Sequence, residues 1–157
     1  MFLYEIADVF NKKSIKYAVV GGYAVALHGA VRGTVDIDLV IELSLESLTA
    51  AEAALESIGL KSRIPVNAKE IFNFREEYIR NRNLIAWSFF DSKNPLRQVD
   101  ILITHDVNKL KTKHIKINHH SLSLIDITAL IQMKKESGRP QDLEDIKALM
   151  EIQSNEK

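Results

Sequence analysis

What most constrains this chain is a strand that is cut short: Tyr17-Ala-Val-Val20 is a β-prone run ended by Gly21-Gly22, and after a spacer of thirteen residues an apolar run carries Asp36-Ile37-Asp38. In a strand, residues two apart share a face, so Asp36 and Asp38 project together while Ile37, Leu39 and Ile41 turn into a core. Two unit charges about 4 Å apart repel by roughly 4 kcal/mol at an effective dielectric near 20, so the pair calls for a cation between its members. Magnesium, with hard oxygen ligands and retained waters, meets that demand. A third acid stands in a similar setting in Val99-Asp100-Ile101-Leu102, a lone carboxylate in an apolar strand. The alternative is that Asp36 marks a strand start, Asp38 faces solvent and Asp100 pairs with an arginine such as Arg97.

A strand that ends in Gly21-Gly22 and turns straight into a helix presents unpaired backbone N–H groups with no side chain to block close approach, a setting suited to phosphate. By itself such a pair is simply a tight turn. Beside an ion-binding acid pair, it puts phosphate oxygens next to the charge that would neutralise them.

The rest of the chain reads as alternating helices and strands. Phe2, Ile6, Val9 and Phe10 recur at helical spacing, Tyr17–Val20 is a strand, and Tyr23–Leu27 is a short helix. Residues 36–41 form a strand, and Ser44 caps a helix to about Ile58, where Gly59 stops it. The segment 60–83 carries no clear period. Strands are expected at Leu84–Phe90 and Gln98–Thr104, joined by a polar turn that Pro95 ends. Two helices close the chain, at about Leu124–Lys135 and Asp142–Ile152, separated by Gly138 and Pro140. This pattern predicts an α+β (mixed α/β) fold with helices packed on one sheet. We expect a single domain over 1–157, with a sheet-containing core in 1–120 and C-terminal helices in 121–152.

Composition narrows the function. The 21 basic and 21 acidic residues cancel, which argues against binding to nucleic acid through global charge. No cysteine is present, so there is no thiolate nucleophile or thiolate metal site, and the chain suits a reducing cytoplasm. The N-terminus lacks the features of a signal peptide, and Tyr17–Val31 falls short of the roughly 18 to 20 apolar residues that span a bilayer, so no membrane association is expected.

Taken together, Val19-Val20-Gly21-Gly22, the Asp36-Ile37-Asp38 pair and Asp100 resemble the nucleotidyltransferase superfamily, the polymerase-β-like fold. Arg32-Gly-Thr34-Val-Asp36-Ile-Asp38-Leu is similar to the form seen in the AbiEii-like toxin nucleotidyltransferases and their small bacterial relatives. So is the tail, with Lys134, Arg139, Asp142 and Asp145. The resemblance implies magnesium-dependent transfer of a nucleoside monophosphate from an NTP to an acceptor, with pyrophosphate leaving. Asp36, Asp38 and Asp100 would hold a two-ion magnesium site, and Asp100 would help deprotonate an acceptor hydroxyl. Gly21 and Gly22 would cradle phosphate. Arg32 is either a phosphate contact or a surface loop arginine, Thr34 binds phosphate or satisfies its own loop, and Lys134 stands where it would reach the triphosphate. Arg139, Asp142 and Asp145 are read as ion pairs and caps holding the last helices. RNA, protein or a small molecule would serve as acceptor, and a toxin–antitoxin setting implies an antitoxin or other protein partner. The competing reading is a nucleotide-binding or regulatory module without turnover.

Other features carry less. Adjacent His119 and His120 on a strand would point to opposite faces and so could not chelate one ion together, and His28 reads as hydrogen-bonded near the glycine loop. Basic residues cluster at Lys61, Arg63, Lys69, Arg75, Arg80 and Arg82, and again at Lys109, Lys111, Lys113 and Lys116. Flanking an acidic cleft they would favour an RNA acceptor, with Tyr78 or Trp87 as stacking surfaces; otherwise they are a solvated face.

Overall fold

The computed structural model describes residues 1–156. In chain order it runs α1 (Phe2–Lys12), β1 (Tyr17–Val20), α2 (Gly21–Leu27), β2 (Ile37–Ile41), α3 (Leu45–Ser57), β3 (Lys61–Ser62), α4 (Ala68–Asn81), β4 (Ala86–Asp91) and β5 (Asn94–Asp106). A 3-10 turn, β6 (Thr112–Ile117), β7 (His120–Ile125), α5 (Ile127–Ser137) and α6 (Pro140–Asn155) complete it. The expected mixed α/β architecture is what the chain adopts. Seven strands form one sheet in the order β3-β4-β5-β2-β1-β7-β6. β1 is antiparallel to β2 and parallel to β7, and β2 is parallel to β5.

β1 lies in the middle of this sheet and is buried at all four positions, which is why Tyr-Ala-Val-Val shows no polar alternation. Around it Phe10, Leu39, Ile41, Leu55, Trp87 and Ile101 are fully buried in one hydrophobic cluster. Local signals end the helices where the sequence places them. The Ser44 hydroxyl accepts from Ser47 N–H at the start of α3, Asp126 caps α5, and Gly138 takes the left-handed conformation (φ +64°) that closes α5.

Several elements differ from the sequence reading. α2 begins at Gly21 itself rather than at Tyr23. β5 starts at Asn94 and takes Pro95 into the strand, because the hairpin turn is tighter than the polar run suggests. Leu124 and Ile125 end a strand instead of opening a helix, so the sheet runs past residue 120 to Ile125. The unreadable segment 60–83 holds β3 and α4, the latter opened by a reciprocal cap in which Asn67 Oδ1 accepts from Glu70 N–H and Asn67 N–H donates to Glu70 Oε1. Among the described residues no helix is long and apolar enough to cross a membrane.

Truncating Leu39, fully buried on the core face of β2, should destabilise the fold by about 2–5 kcal/mol in urea unfolding. Val31→Ser, at a fully exposed position of the loop before β2, should change stability by less than about 0.5 kcal/mol.

Candidate active site

Strand pairing assembles the acids. The parallel β2–β5 register sets Asp38 directly beside Asp100, the β1–β2 register sets Val20 opposite Asp38, and the β4–β5 register sets Ser88 opposite Asp100. One row therefore crosses four strands, with its side chains on one face. The alternate positions Ile37, Leu39, Val99 and Ile101 face the core and are fully buried. Gly21 follows Val20 with φ +68°, and a Cβ added there would overlap the Asp38 carboxylate. Glycine is thus required twice at this position, for its backbone conformation and for the close approach of an acid.

The charges in this row stand against one another. Burial, then the charges of Asp100 and Asp36 and a hydrogen-bonding contact with Asp100, push the Asp38 carboxyl up to about 7. The positive charge of Lys134 opposes that rise without cancelling it. Asp36 is raised as well, by burial and by Asp100, against the pull of Arg63. Among the described residues no lysine or arginine closes an ion pair on Asp36, Asp38 or Asp100. Arg97, the candidate partner for Asp100, is instead bound to Asp91 at 2.6 Å and Glu5 at 3.0 Å.

Asp36 stands apart from the other two acids. It is exposed in the bend just before β2, within electrostatic reach of Asp100. Among the described residues no three acidic or histidine side chains gather closely enough to make an ion site from protein alone. The closely placed carboxylates are Asp38 and Asp100.

A cavity of about 460 Å³ opens over this pair. Gly21, Asp38 and Asp100 line one end, Leu102, Leu130 and Met133 form apolar walls between β5 and α5, and Thr104 and His105 lie farther along β5. Lys134 projects from α5 into its lining, but the ammonium is 5% exposed and held by Asp142 Oδ1 at 3.1 Å and Asp145 Oδ2 at 2.9 Å. Burial would raise both of those acids. For Asp142, hydrogen bonds from Arg139, Ser137 and Lys134 outweigh burial; for Asp145, Lys134, Gln141 and Arg32 do so, and both carboxyls lie below the usual range.

The loop between α2 and β2 is fastened by the same network. Arg32 Nε donates to Asp145 Oδ1 at 3.0 Å, and its guanidinium lies against the Gly22 position. Thr34 packs on Gly22 as well, and its hydroxyl donates to the Asp36 carbonyl at 3.4 Å, so it closes the loop that delivers the acid pair. His28 Nε2 meets the Ile125 carbonyl at 2.8 Å, while His119 lies in a turn (φ +71°) and His120 stacks on Tyr4. Trp87 is fully buried and offers no stacking surface.

Two neighbours of the row are not evident from sequence. Gln98, two residues before Asp100 on the same face of β5, donates from Nε2 to Asp100 Oδ1 at 3.3 Å. Arg63 binds Gln98 from across the sheet at 2.6 Å, 35 positions away in sequence. The i, i+2 spacing alone marks Gln98; nothing local marks Arg63 as its partner.

The raised Asp38 has a definite consequence for stability. Below about pH 4 the carboxyl is protonated folded and unfolded, and no penalty applies. Between about pH 4 and 7 the unfolded chain releases the proton while the folded one keeps it, so metal-free stability should fall across that window and level off above it, by an amount on the order of a few kcal/mol. Melting curves in chelator at pH 5 and pH 8 should show the loss, and Asp38→Asn should largely flatten it. An unchanged slope in that variant would place the titrating group elsewhere.

No family model matches the chain, and no curated protein sequence matches it. Solved structures do. The lincosamide antibiotic adenylyltransferase LnuA, bound to lincomycin, superposes with a TM-score of 0.64 at 18% identity over 96% of each chain. ANT(2″)-Ia, in complex with adenylyl-2″-tobramycin, gives 0.61 at 12% identity over 94% of this chain and 84% of its own. An antigenic nucleotidyltransferase-like protein from Paracoccidioides brasiliensis gives 0.59 at 16% identity over 95% and 73%. At these identities the likeness is one of fold, and the fold of this chain is nucleotidyltransferase-like.

Proposed function

We propose that this chain is a magnesium-dependent nucleotidyltransferase that moves a nucleoside monophosphate from an NTP to a hydroxyl on a small molecule. The observation that carries the reading is the Asp38–Asp100 pair, two carboxylates without a cationic partner pressed together beside the Gly21 turn. Such a pair fits a hard divalent ion that brings its own ligands. Magnesium usually takes one or two carboxylates and completes its octahedron with phosphate oxygens and water, so no three-acid protein cage is needed. Asp38 and Asp100 would hold it, with Asp36, exposed in the bend before β2 and within electrostatic reach of Asp100, available to a second ion. When bound, the metal would neutralise charge on the triphosphate and the departing pyrophosphate.

The chain's own groups supply the rest. Backbone N–H groups at Gly21 and Gly22 open α2 beside the acid pair and would meet the phosphates; α2 has only seven residues, so local donors matter more than its dipole. Asp100, at the inner end of the cavity, accepts the acceptor's proton as its oxygen attacks the α-phosphorus. Lys134 contributes a fixed positive charge from the cavity lining, and Arg32 holds the loop that carries Asp36.

The cavity favours a small acceptor over RNA. Its walls next to Asp100 are apolar, and its cations Lys134 and Arg139 are both committed to Asp142. The basic clusters do not line this cavity; where they approach each other, Arg75 and Lys109 share a separate cavity of about 650 Å³ that contains neither Asp38 nor Asp100. The ligands carried by LnuA and ANT(2″)-Ia are likewise small molecules.

With α-labelled NTPs, magnesium and a panel of hydroxyl-bearing small molecules, label should pass to an acceptor with stoichiometric pyrophosphate release. Asp38→Ala and Asp100→Ala should each lower kcat/KM by roughly 100-fold or more, about 2.7 kcal/mol of transition-state stabilisation. Label found only on RNA or protein would remove the small-molecule assignment. NTP binding without pyrophosphate release under any acceptor would leave a nucleotide-binding module.

A further inference from the structure

A carboxylate that shares an ion must be held in one rotamer, and Asp100 has a holder. β3 pairs antiparallel with β4, and Arg63 N–H extends the ladder by donating to the Ser88 carbonyl at 2.9 Å. That extension carries the Arg63 guanidinium over the ring of Phe90, 4.6 Å from its centroid, where it is favoured by cation–π attraction. Phe90 sits opposite Gln98 in the β4–β5 register. From this platform Arg63 Nη2 donates to Gln98 Oε1 at 2.6 Å.

The chemistry of the two groups fixes the direction of the chain. A guanidinium has no acceptor, so Gln98 must offer it Oε1, and the amide's donor end is then turned to Asp100 Oδ1 at 3.3 Å. A donor in that place occupies one of the carboxylate's oxygens and fixes its rotamer. The other is left for the ion shared with Asp38.

We propose that Gln98, oriented by Arg63 on the Phe90 ring, is a positioning residue that sets the Asp100 carboxylate for divalent metal binding. The proposal rests on the reading of Asp38 and Asp100 as ion ligands. Such outer-shell partners typically govern metal affinity by about 10- to 100-fold. A surface hydrogen bond with no such role would contribute to stability alone.

The test measures Mn²⁺ binding to the full chain by electron paramagnetic resonance without nucleotide, and then transfer rates over a range of Mn²⁺. Gln98→Leu should weaken Mn²⁺ binding on the order of 10-fold, and Gln98→Glu by more, since an acceptor then faces Asp100. Arg63→Met should act in the same direction, and the double variant Arg63→Met/Gln98→Leu should be no weaker than Gln98→Leu alone, because both break one chain of contacts. Saturating Mn²⁺ should restore kcat in Gln98→Leu with the acceptor KM unchanged, which a general loss of structure would not allow. Wild-type affinity in both Gln98 variants, or additive losses in the double variant, overturns the inference while the ion site stands. A wild-type chain that binds no Mn²⁺ overturns the ion-ligand reading and the positioning role together.

Discussion

Everything at the site follows from one register. Parallel pairing of β2 with β5 brings Asp38 and Asp100 side by side, and a parallel neighbour cannot be supplied by a hairpin; it requires a crossover. The segment 42–93 is that crossover, with α3, α4 and the two strands that build out the sheet edge. A slip of one residue would turn Ile37, Leu39 and Ile41 away from the core face and Asp38 into it. The fully buried Ile37, Leu39 and Ile41 therefore fix the acid pair as firmly as they fix the fold. The electrostatic cost of the pair is borne by the hydrophobic alternation around it.

A second balance of charge stands behind the first. Lys134, Asp142, Asp145, Arg32 and Arg139 join α5, the start of α6 and the loop before β2 into one network. A buried lysine is tolerable only with partners, and here two carboxylates, 1% and 3% exposed, accept it. The network has a direct bearing on the acids. Lys134 is near enough to draw the Asp38 carboxyl down, against burial and two like charges, yet it is restrained from closing an ion pair with it. Asp38 is thus moderated without being neutralised, which leaves its charge available to a cation from solution.

How legible this was depended on whether the signal lay within a few residues. The core faces of β2 and β5 and the glycine turn are legible because strand periodicity and a double glycine act locally, whereas the expected Asp36–Asp38 pair does not form because Asp36 lies in the bend before β2, outside the strand whose period would align the two. Leu124 and Ile125 were misread because leucine suits helices, although Ser121-Leu-Ser-Leu124 already alternates with period 2. α4 was missed because only Ala68 and Ile71 of its fourteen residues are buried and the backbone leaves helical geometry at Phe74, which erases the apolar stripe. Its cap, Asn67 with Glu70, was the local cue that remained. The Arg63–Gln98 and Arg32–Asp145 contacts span 35 and 113 positions, and no local pattern encodes them.

The Arg32–Asp145 tie also explains why the chain needs helices after its sheet is finished. Asp36 and Asp38 arrive at the end of a loop that begins at His28, and a free loop of that length would leave Asp36 unplaced. Two anchors constrain it: Thr34 against Gly22 at the near end, and Arg32 against an acid on α6. The second is possible only because Asp145 is itself held by Lys134 of α5. Loss of the Asp145 carboxylate would both free the loop and leave Lys134 with Asp142 as its one acid partner, closer to the pull of Asp38. The closing helices therefore do more than cover one face of the sheet: they keep a cation away from the acid pair while fastening the loop that brings the acids in.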